Sequence, residues 1–436
     1  MTRLIDLHRF ETDFGPHLLL VDGSRIYALD EALDRALHAA DASDVGALQA
    51  LLDGAGLGSL GFIGEGRLTD PPLRSVSLSV AQRCNLGCTY CYAQQGGFGA
   101  APRDMPAEVA ESALQLLFKT ATPGERVNVA FLGGEPLTNR KLVRSATARA
   151  LELAERKGVP VSFAMTTNAT LLTPDDAEFF AAHRFAVTVS LDGDEALHDA
   201  QRSFKGGRGS YAQTVARLAP LLARQDRVQL FARVSVTPRN LEIARILEHL
   251  EHVGFRSVGF SPVLSSPSGM DTLRGEDVDT LLGQMIACGR DFVDRAIGGT
   301  QPVFANLASA LTELHRGTHR PYPCGAGAGY ASVGAEGGLH ACHRFVGDDA
   351  GALGDVRNGI DRGKQRQWLE ERAVDRQNPC TTCWARYLCG GGCHHEVIHV
   401  GRTACDFIRG WLHFCLQAYV TISERAPGYF GPRARG

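Results

Sequence analysis

No run in this sequence approaches 18 consecutive apolar residues, so no segment is expected to span a membrane. The chain opens Met1-Thr2-Arg3-Leu4-Ile5-Asp6 without the apolar stretch of a secretory signal, which points to a reducing, cytoplasmic compartment. A basic excess is also absent. Lys and Arg number 45 against 48 Asp and Glu, a formal net charge of −3, and this leaves no electrostatic footprint for nucleic acid. Only five of the 45 basic residues are lysine, a compositional bias that carries no mechanism. There is no solenoid repeat and no low-complexity tract, and 44% apolar with 21% charged residues excludes long disorder, collagen and coiled coil. The 436 residues suffice for about three units at roughly 150 residues per domain.

Cysteine is plentiful and clustered. Of twelve cysteines, three lie between positions 84 and 91, seven between 324 and 405, and Cys288 and Cys415 stand apart. A secreted disulfide scaffold would be short and loop-rich, so clustered thiols in a long chain of this kind predict metal binding.

The first 70 residues predict a small α+β unit. Extended stretches His17 to Val21 and Arg25 to Leu29 flank the turn signal Asp22-Gly23, and Ala/Leu-rich helical segments follow. The unit is either a cap on the main domain or a peptide-docking module, with Gly54 to Pro72 as linker. From 74 to 305, apolar β-rich runs (Ser75 to Val80, Val127 to Leu132, Val159 to Met165, Ala186 to Leu191, Val228 to Val236, Ser257 to Pro262) alternate with amphipathic helical segments such as Pro106 to Lys119, Arg140 to Arg156 and Leu241 to His252. This is an α/β pattern with a parallel sheet, and six units fit a partial (β/α)6 TIM-type barrel better than an open doubly wound sheet. Chemistry then belongs at the strand carboxyl ends. Residues 320–424 are dense in Gly and Cys, with little apolar core to bury until a helix over Cys405 to Glu424, and are expected to fold around metal.

Cys84, Cys88 and Cys91 form C-x3-C-x2-C directly after the first predicted strand. Three thiolates can hold three irons of a [4Fe-4S] cubane, leaving the fourth open to bind and reduce a ligand; a zinc site with a distant fourth ligand is the alternative. With Phe131-Leu132-Gly133-Gly134-Glu135-Pro136 after the second strand, Thr166-Thr167-Asn168-Ala169 after the third, and Ser190-Leu191-Asp192-Gly193 followed by His198 and Arg202 after the fourth, the sequence resembles the radical S-adenosylmethionine (SAM) enzymes. The resemblance implies that the open iron chelates SAM, whose cleavage gives a 5′-deoxyadenosyl radical that abstracts hydrogen from an unactivated carbon. It also implies that Gly133, Gly134 and Glu135 receive the methionine ammonium, that Asn168 and Ser190 bind its ribose or methionine part, that Arg202 pairs with its carboxylate, and that Tyr90 lies near adenine.

Cys324, Gly337-x4-Cys342, Cys380-x2-Cys383-x5-Cys389-x3-Cys393 and Cys405 resemble the seven-cysteine SPASM pattern of radical SAM peptide maturases. A zinc ribbon at Cys380 and Cys383 is the rival. The resemblance, covering roughly 74–420, implies two auxiliary [4Fe-4S] clusters and three in all: one held by Cys380, Cys383, Cys389 and Cys405, the other by Cys324, Cys342 and Cys393 with one iron short of a thiolate. Sulfatase-maturing relatives supply another cysteine where this chain has Tyr330 and an Asp where it has His343. The segment Cys342-His343-Arg344-Phe345-Val346-Gly347 with Leu353-Gly354-Asp355-Val356 is more similar to the thioether-forming maturases of SCIFF peptides and quinohemoprotein amine dehydrogenase.

The expected function is thus modification of a ribosomal precursor peptide or small protein subunit containing Cys, most directly by a bond from cysteine sulfur to a carbon, with a flavodoxin- or ferredoxin-type electron donor. Other radical outcomes, namely a carbon–carbon crosslink, epimerisation or formylglycine formation, are the enzymatic alternatives. A zinc-binding interaction protein is the non-enzymatic one. In the thioether scheme the open iron of the Cys324, Cys342 and Cys393 cluster takes the substrate thiolate; Cys288, Cys415 or water could complete it instead. The expected domains are residues 1–70, as a leader-recognition unit, 74–305 and 320–424.

Overall fold

Ser75-Val76-Ser77-Leu78-Ser79-Val80 alternates serine with branched apolar side chains. Yet in the computed structural model, which describes residues 7–40, 44–57 and 68–431, both faces of this strand are buried. It is a central strand, and the fold is organised around it.

The N-terminal strands β1 (Leu7–Thr12), β2 (Gly15–Leu20) and β3 (Arg25–Ala28) form an antiparallel meander covered by α1 (Glu31–Ala39) and α2 (Val45–Gly54). Asp30 and Asp44 cap the two helices by accepting from the backbone amides of Leu33 and Ala47. β2 and β3 are the expected pair; β1 was not legible, because Leu7-His8-Arg9-Phe10-Glu11-Thr12 mixes polar and apolar residues without strict alternation. Of the expected linker, residues 58–67 lie outside the described residues.

The central strand is β4 (Ser75–Gln82), joined at its end by the short β5 (Arg103–Asp104). After it, α3 (Ala107–Lys119), β6 (Val127–Gly133), α4 (Arg140–Lys157), β7 (Val161–Thr167), α5 (Pro174–Ala182) and β8 (Ala186–Ser190) alternate. The chain continues through α6 (Glu195–Gln201), α7 (Tyr211–Leu222), β9 (Gln229–Val236), α8 (Ile243–Val253) and β10 (Val258–Pro262). The six strands β4, β6, β7, β8, β9 and β10 pair in parallel in that order, so the six predicted units are all present. Helix faces seal the sheet: α8 buries Ile243, Ile246, Leu247 and Leu250 at helical spacing, and Thr173 and Asp176 form a capping box at the start of α5.

Two long helices follow, α9 (Glu276–Ile297) and α10 (Ala305–Arg316), and then the cysteine-rich segment. Here the structure corrects the expectation of a small core. Strand β11 (Tyr330–Val333) pairs in parallel with β4, and β12 (Gly338–His340), β13 (Ala352–Asp355) and β14 (Gly359–Ile360) extend the same sheet to eleven strands. Ala331, Val333, Leu339, Phe345 and Leu353 are at most 1% exposed and belong to the barrel's own core. The segment ends in α11 (Arg362–Arg372), the short helices α12 (Arg386–Cys389) and α13 (His394–His399), and α14 (Cys405–Arg425), which packs against α9. The N-terminal meander docks on this C-terminal segment: His8 stacks on Trp384 with ring centroids 3.6 Å apart, and Arg386 Nη2 donates to Asp22 Oδ1 at 3.0 Å.

Candidate active site

The carboxyl end of β4 delivers the first three cysteines. The loop from Cys84 to Cys91 is fixed to the end of α6 by Gly87 N–H donating to Ser203 O at 2.9 Å and Thr89 N–H donating to Gln201 O at 3.1 Å. Cys84, Cys88 and Cys91 face a cavity of about 240 Å³ that is also lined by Tyr90, Gly133, Gly134, Asn168, Ser190 and Arg202. The structure therefore brings together every residue predicted around the SAM site except Glu135. Burial pushes the Cys84 thiol up to about 11 and the Cys88 thiol up to about 12. Such thiols become good ligands only beside a cation, which a metal cluster provides.

Glu135 lies beneath the cavity. Its Oε1 accepts from Leu137 N at 3.0 Å and Thr167 Oγ1 at 2.8 Å, and its Oε2 from Asn168 N at 2.7 Å. Burial pushes this carboxyl up against the pull of those donors. Glu135 does not line the cavity; it ties the end of β6 to the end of β7 and so aims Asn168. From there Asn168 Nδ2 donates to Asn85 Oδ1 at 3.0 Å and approaches Cys84 Sγ at 3.7 Å.

Gly133 and Gly134 line the cavity as expected and serve a second purpose. A Cβ on Gly133 would lie 2.3 Å from Ala81 O, and one on Gly134 2.3 Å from Arg83 O. Their bareness lets β6 press against the chain entering the cysteine loop, and Gly133 holds φ +136, a conformation that favours glycine. Gly134→Ala must displace the Arg83 carbonyl and, with it, Cys84. The variant is expected to lose about four irons of roughly twelve per chain while the C-terminal cysteines keep theirs; iron analysis with unchanged content would refute this account.

Arg202 is 7% exposed and sits among unlike groups. Its Nη1 donates to Tyr90 Oη at 2.5 Å and lies 3.9 Å from Asp192 Oδ2, to which Tyr90 also donates. Burial pushes the Asp192 carboxyl up, while Arg202 holds it down. Arg202 Nε is buried with no partner. An orphaned guanidinium donor on a side chain that lines the cysteine cavity fits a ligand carboxylate, so the residues present suit both a cluster and SAM. His198, by contrast, is structural: its Nδ1 accepts from Asp192 N–H at 3.3 Å and its Nε2 meets Ser210 Oγ at 2.9 Å.

Sequence reasoning missed Arg233, Arg344 and Glu396, which line the same cavity. Arg233 had a local signal, a lone charge in the apolar strand Gln229-Leu230-Phe231-Ala232-Arg233-Val234. Arg344 and Glu396 had none, since their meeting at 2.7 Å joins segments 52 residues apart. Arg344 Nη1 also lies 3.6 Å from Cys393 Sγ. Tyr92, Leu264, Ser265 and Arg344 are shared with a larger outer cleft of about 690 Å³, so the cysteine cavity opens outward past Arg344.

The seven C-terminal cysteines fall into two groups. Cys380 is in electrostatic range of Cys383 and Cys405, and Cys389 of Cys380 and Cys383. Cys342 is in range of both Cys324 and Cys393. Tyr330 Oη meets Ser77 Oγ at 2.7 Å and His343 Nδ1 at 3.3 Å, and it lies in electrostatic range of Cys342 and Cys324. His343 lines the inner cavity, and burial with Arg233 and Arg344 nearby pushes it down to about 3, so the ring is neutral. Cys288 and Cys415 are buried in the main core and line none of these cavities. Among the described residues, no helix is long and apolar enough to cross a membrane.

Comparison with known proteins agrees with this geometry. The Radical SAM superfamily matches residues 78–231, from within β4 into β9. A serine-type anaerobic sulfatase-maturating enzyme of Klebsiella aerogenes is 25% identical over 330 residues, which is 74% of this chain and 80% of that enzyme. The solved structure of native anSMEcpe with bound AdoMet and a Cp18Cys peptide covers 81% of this chain and 99% of its own at TM-score 0.67 and 18% identity. Streptococcus suis SuiB bound to precursor peptide SuiA covers 91% and 97% at TM-score 0.53 and 15% identity, and both likenesses concern the fold. The matched Radical SAM stretch contains the cysteine triad, and the fold shared with the solved structures extends well beyond that stretch; together these findings support a radical SAM maturase of the SPASM type.

Proposed function

We propose that the chain is a peptide maturase that joins the sulfur of a substrate cysteine to a carbon of another residue. Cys84, Cys88 and Cys91 are the ligands of the SAM-binding cluster, with Asn168, Ser190 and Arg202 as SAM contacts. Cys380, Cys383, Cys389 and Cys405 hold one auxiliary [4Fe-4S] cluster, and Cys324, Cys342 and Cys393 hold the other. When bound, the first cluster supplies the electron that cleaves SAM into the hydrogen-abstracting radical. The chain's own residues do the rest. Arg202 offers its unpartnered Nε–H to a carboxylate, and Asn168 and Ser190 line the same cavity.

The observation that carries the thioether assignment is the group of three. Cys324 and Cys393 are exposed, and the position where a further cysteine would stand is Tyr330, whose phenol lies beside Cys342 and Cys324 and hydrogen-bonds Ser77. A group short of one thiol at an accessible place suits a substrate thiolate as the missing ligand. The outer cleft admits a peptide strand, and the meander offers edge strands β1 and β3, each with one strand neighbour among the described residues, for leader pairing in the manner of β-augmentation. The proposed site of action is the cytoplasm, with a flavodoxin- or ferredoxin-type reductant.

Co-expression with a Cys-rich peptide encoded by a neighbouring short reading frame, followed by mass spectrometry, tests this. Loss of two hydrogen atoms per bond and thiols that resist alkylation are expected; crosslinks in a cysteine-free substrate would end the thioether assignment. The sulfatase-maturating relative supports formylglycine as the second reading, and a carbonyl that reacts with hydroxylamine in the product would favour it.

A further inference from the structure

Helix α13 contains His395-Glu396-Val397-Ile398-His399, an H-E-x-x-H spacing that places both histidines on one face. Asp348, from the turn that follows Phe345, reaches the same face: His399 Nε2 lies 2.7 Å from Asp348 Oδ2. The ligand atoms of Asp348, His395 and His399 all lie within 4.8 Å of one another. A tetrahedral zinc with bonds of about 2.0–2.2 Å needs its ligand atoms about 3.3 Å apart, so the three groups must draw together by about 1.5 Å at most. His395 Nδ1 is buried without a hydrogen-bond partner, the state of a ring nitrogen with a ligand position to fill. The two imidazole rings lie with centroids 4.6 Å apart, and all three residues line the outer cleft.

We propose that Asp348, His395 and His399 bind one divalent cation of the Zn²⁺ class, with water in the fourth position facing the outer cleft. Two imidazoles and a carboxylate suit Zn²⁺ or Fe²⁺, and at such a nitrogen and oxygen site zinc binds the more tightly of the two. The site is not that of a metallopeptidase. Glu396, which a hydrolase of this spacing would use as base, is held by Arg344 at 2.7 Å on the side of the inner cavity. The position suggests a clamp. Asp348 is six residues after Cys342 and His399 six after Cys393, so the cation fastens together the two segments that bring those thiols near each other. The Arg344–Glu396 ion pair already links the same two segments one turn away, and the metal adds a second, stronger tie.

The test uses the holoenzyme with its iron–sulfur clusters filled, incubated with Zn²⁺, desalted, and analysed for zinc and iron together. One zinc per chain is expected beside about twelve irons. Asp348→Asn, which preserves shape, and His399→Ala should each weaken zinc retention by roughly 100-fold or more with iron unchanged. The proposal is overturned by absence of retained zinc in the unaltered protein, by full zinc in both variants, by an extra iron in place of zinc, or by zinc and iron falling together in both variants, which would assign the zinc to the cysteines.

Discussion

Cys88→Ala is expected to abolish formation of 5′-deoxyadenosine from SAM and dithionite, and to lower the iron content from about twelve to about eight per chain. The physical reason is that the loop carrying Cys84, Cys88 and Cys91 has no substitute ligand. Asn85 is engaged by Asn168 and by Thr170 at 2.7 Å, and Tyr90 by Asp192 and Arg202. Removing the central thiol leaves two where a cubane with one open iron needs three. The lost volume is one sulfur atom, so far-UV circular dichroism and the C-terminal iron should survive. Undiminished SAM cleavage in this variant would refute the ligand assignment outright.

Arg202→Met should have the next largest effect, in two separable ways. Asp192 is fully buried and keeps only Tyr90 and Ser235 N–H, the latter at 2.9 Å, once the guanidinium is gone. Breaking a buried pair by removing one partner costs about 3–5 kcal/mol, because the remaining charge is uncompensated. Urea unfolding reads that loss, and adding Asp192→Asn should return part of it, since the neutral amide needs no counter-charge. SAM affinity, measured by equilibrium dialysis, should fall roughly 10-fold or more in both the single and the double variant, because a charge-assisted hydrogen bond contributes about 1.5–3 kcal/mol. A double variant that recovers SAM affinity along with stability would show that Arg202 acts through folding alone.

Much of this site was legible because its parts are local. The triad spans eight residues, and each further motif sits where an apolar run stops, so strand periodicity and glycine punctuation located Gly133, Asn168 and Ser190 at carboxyl ends that the barrel then gathers. What was not legible depends on pairing across the chain. Nothing in Phe131-Leu132-Gly133-Gly134-Glu135 says that the carboxylate turns inward to Thr167 and Asn168, because the donors belong to another strand. Tyr330-Ala331-Ser332-Val333 is too short and too rich in small residues to stand out as a strand, and only its partner β4 makes it one. The Arg344–Glu396 contact depends on the same assembly.

The pairing of β11 with β4 also sets a schedule. Tyr330 lies opposite Ser75, 255 positions apart along the chain (330 − 75), and at roughly 5–20 residues per second a ribosome needs on the order of 10–50 s to make that stretch. Throughout that interval the strand that feeds Cys84 has one long edge without its partner, and unpaired edges of apolar strands recruit other chains. A nascent chain is therefore most prone to aggregate after its barrel strands are made and before its last hundred residues emerge. Host chaperones that cover this edge should thus raise yield.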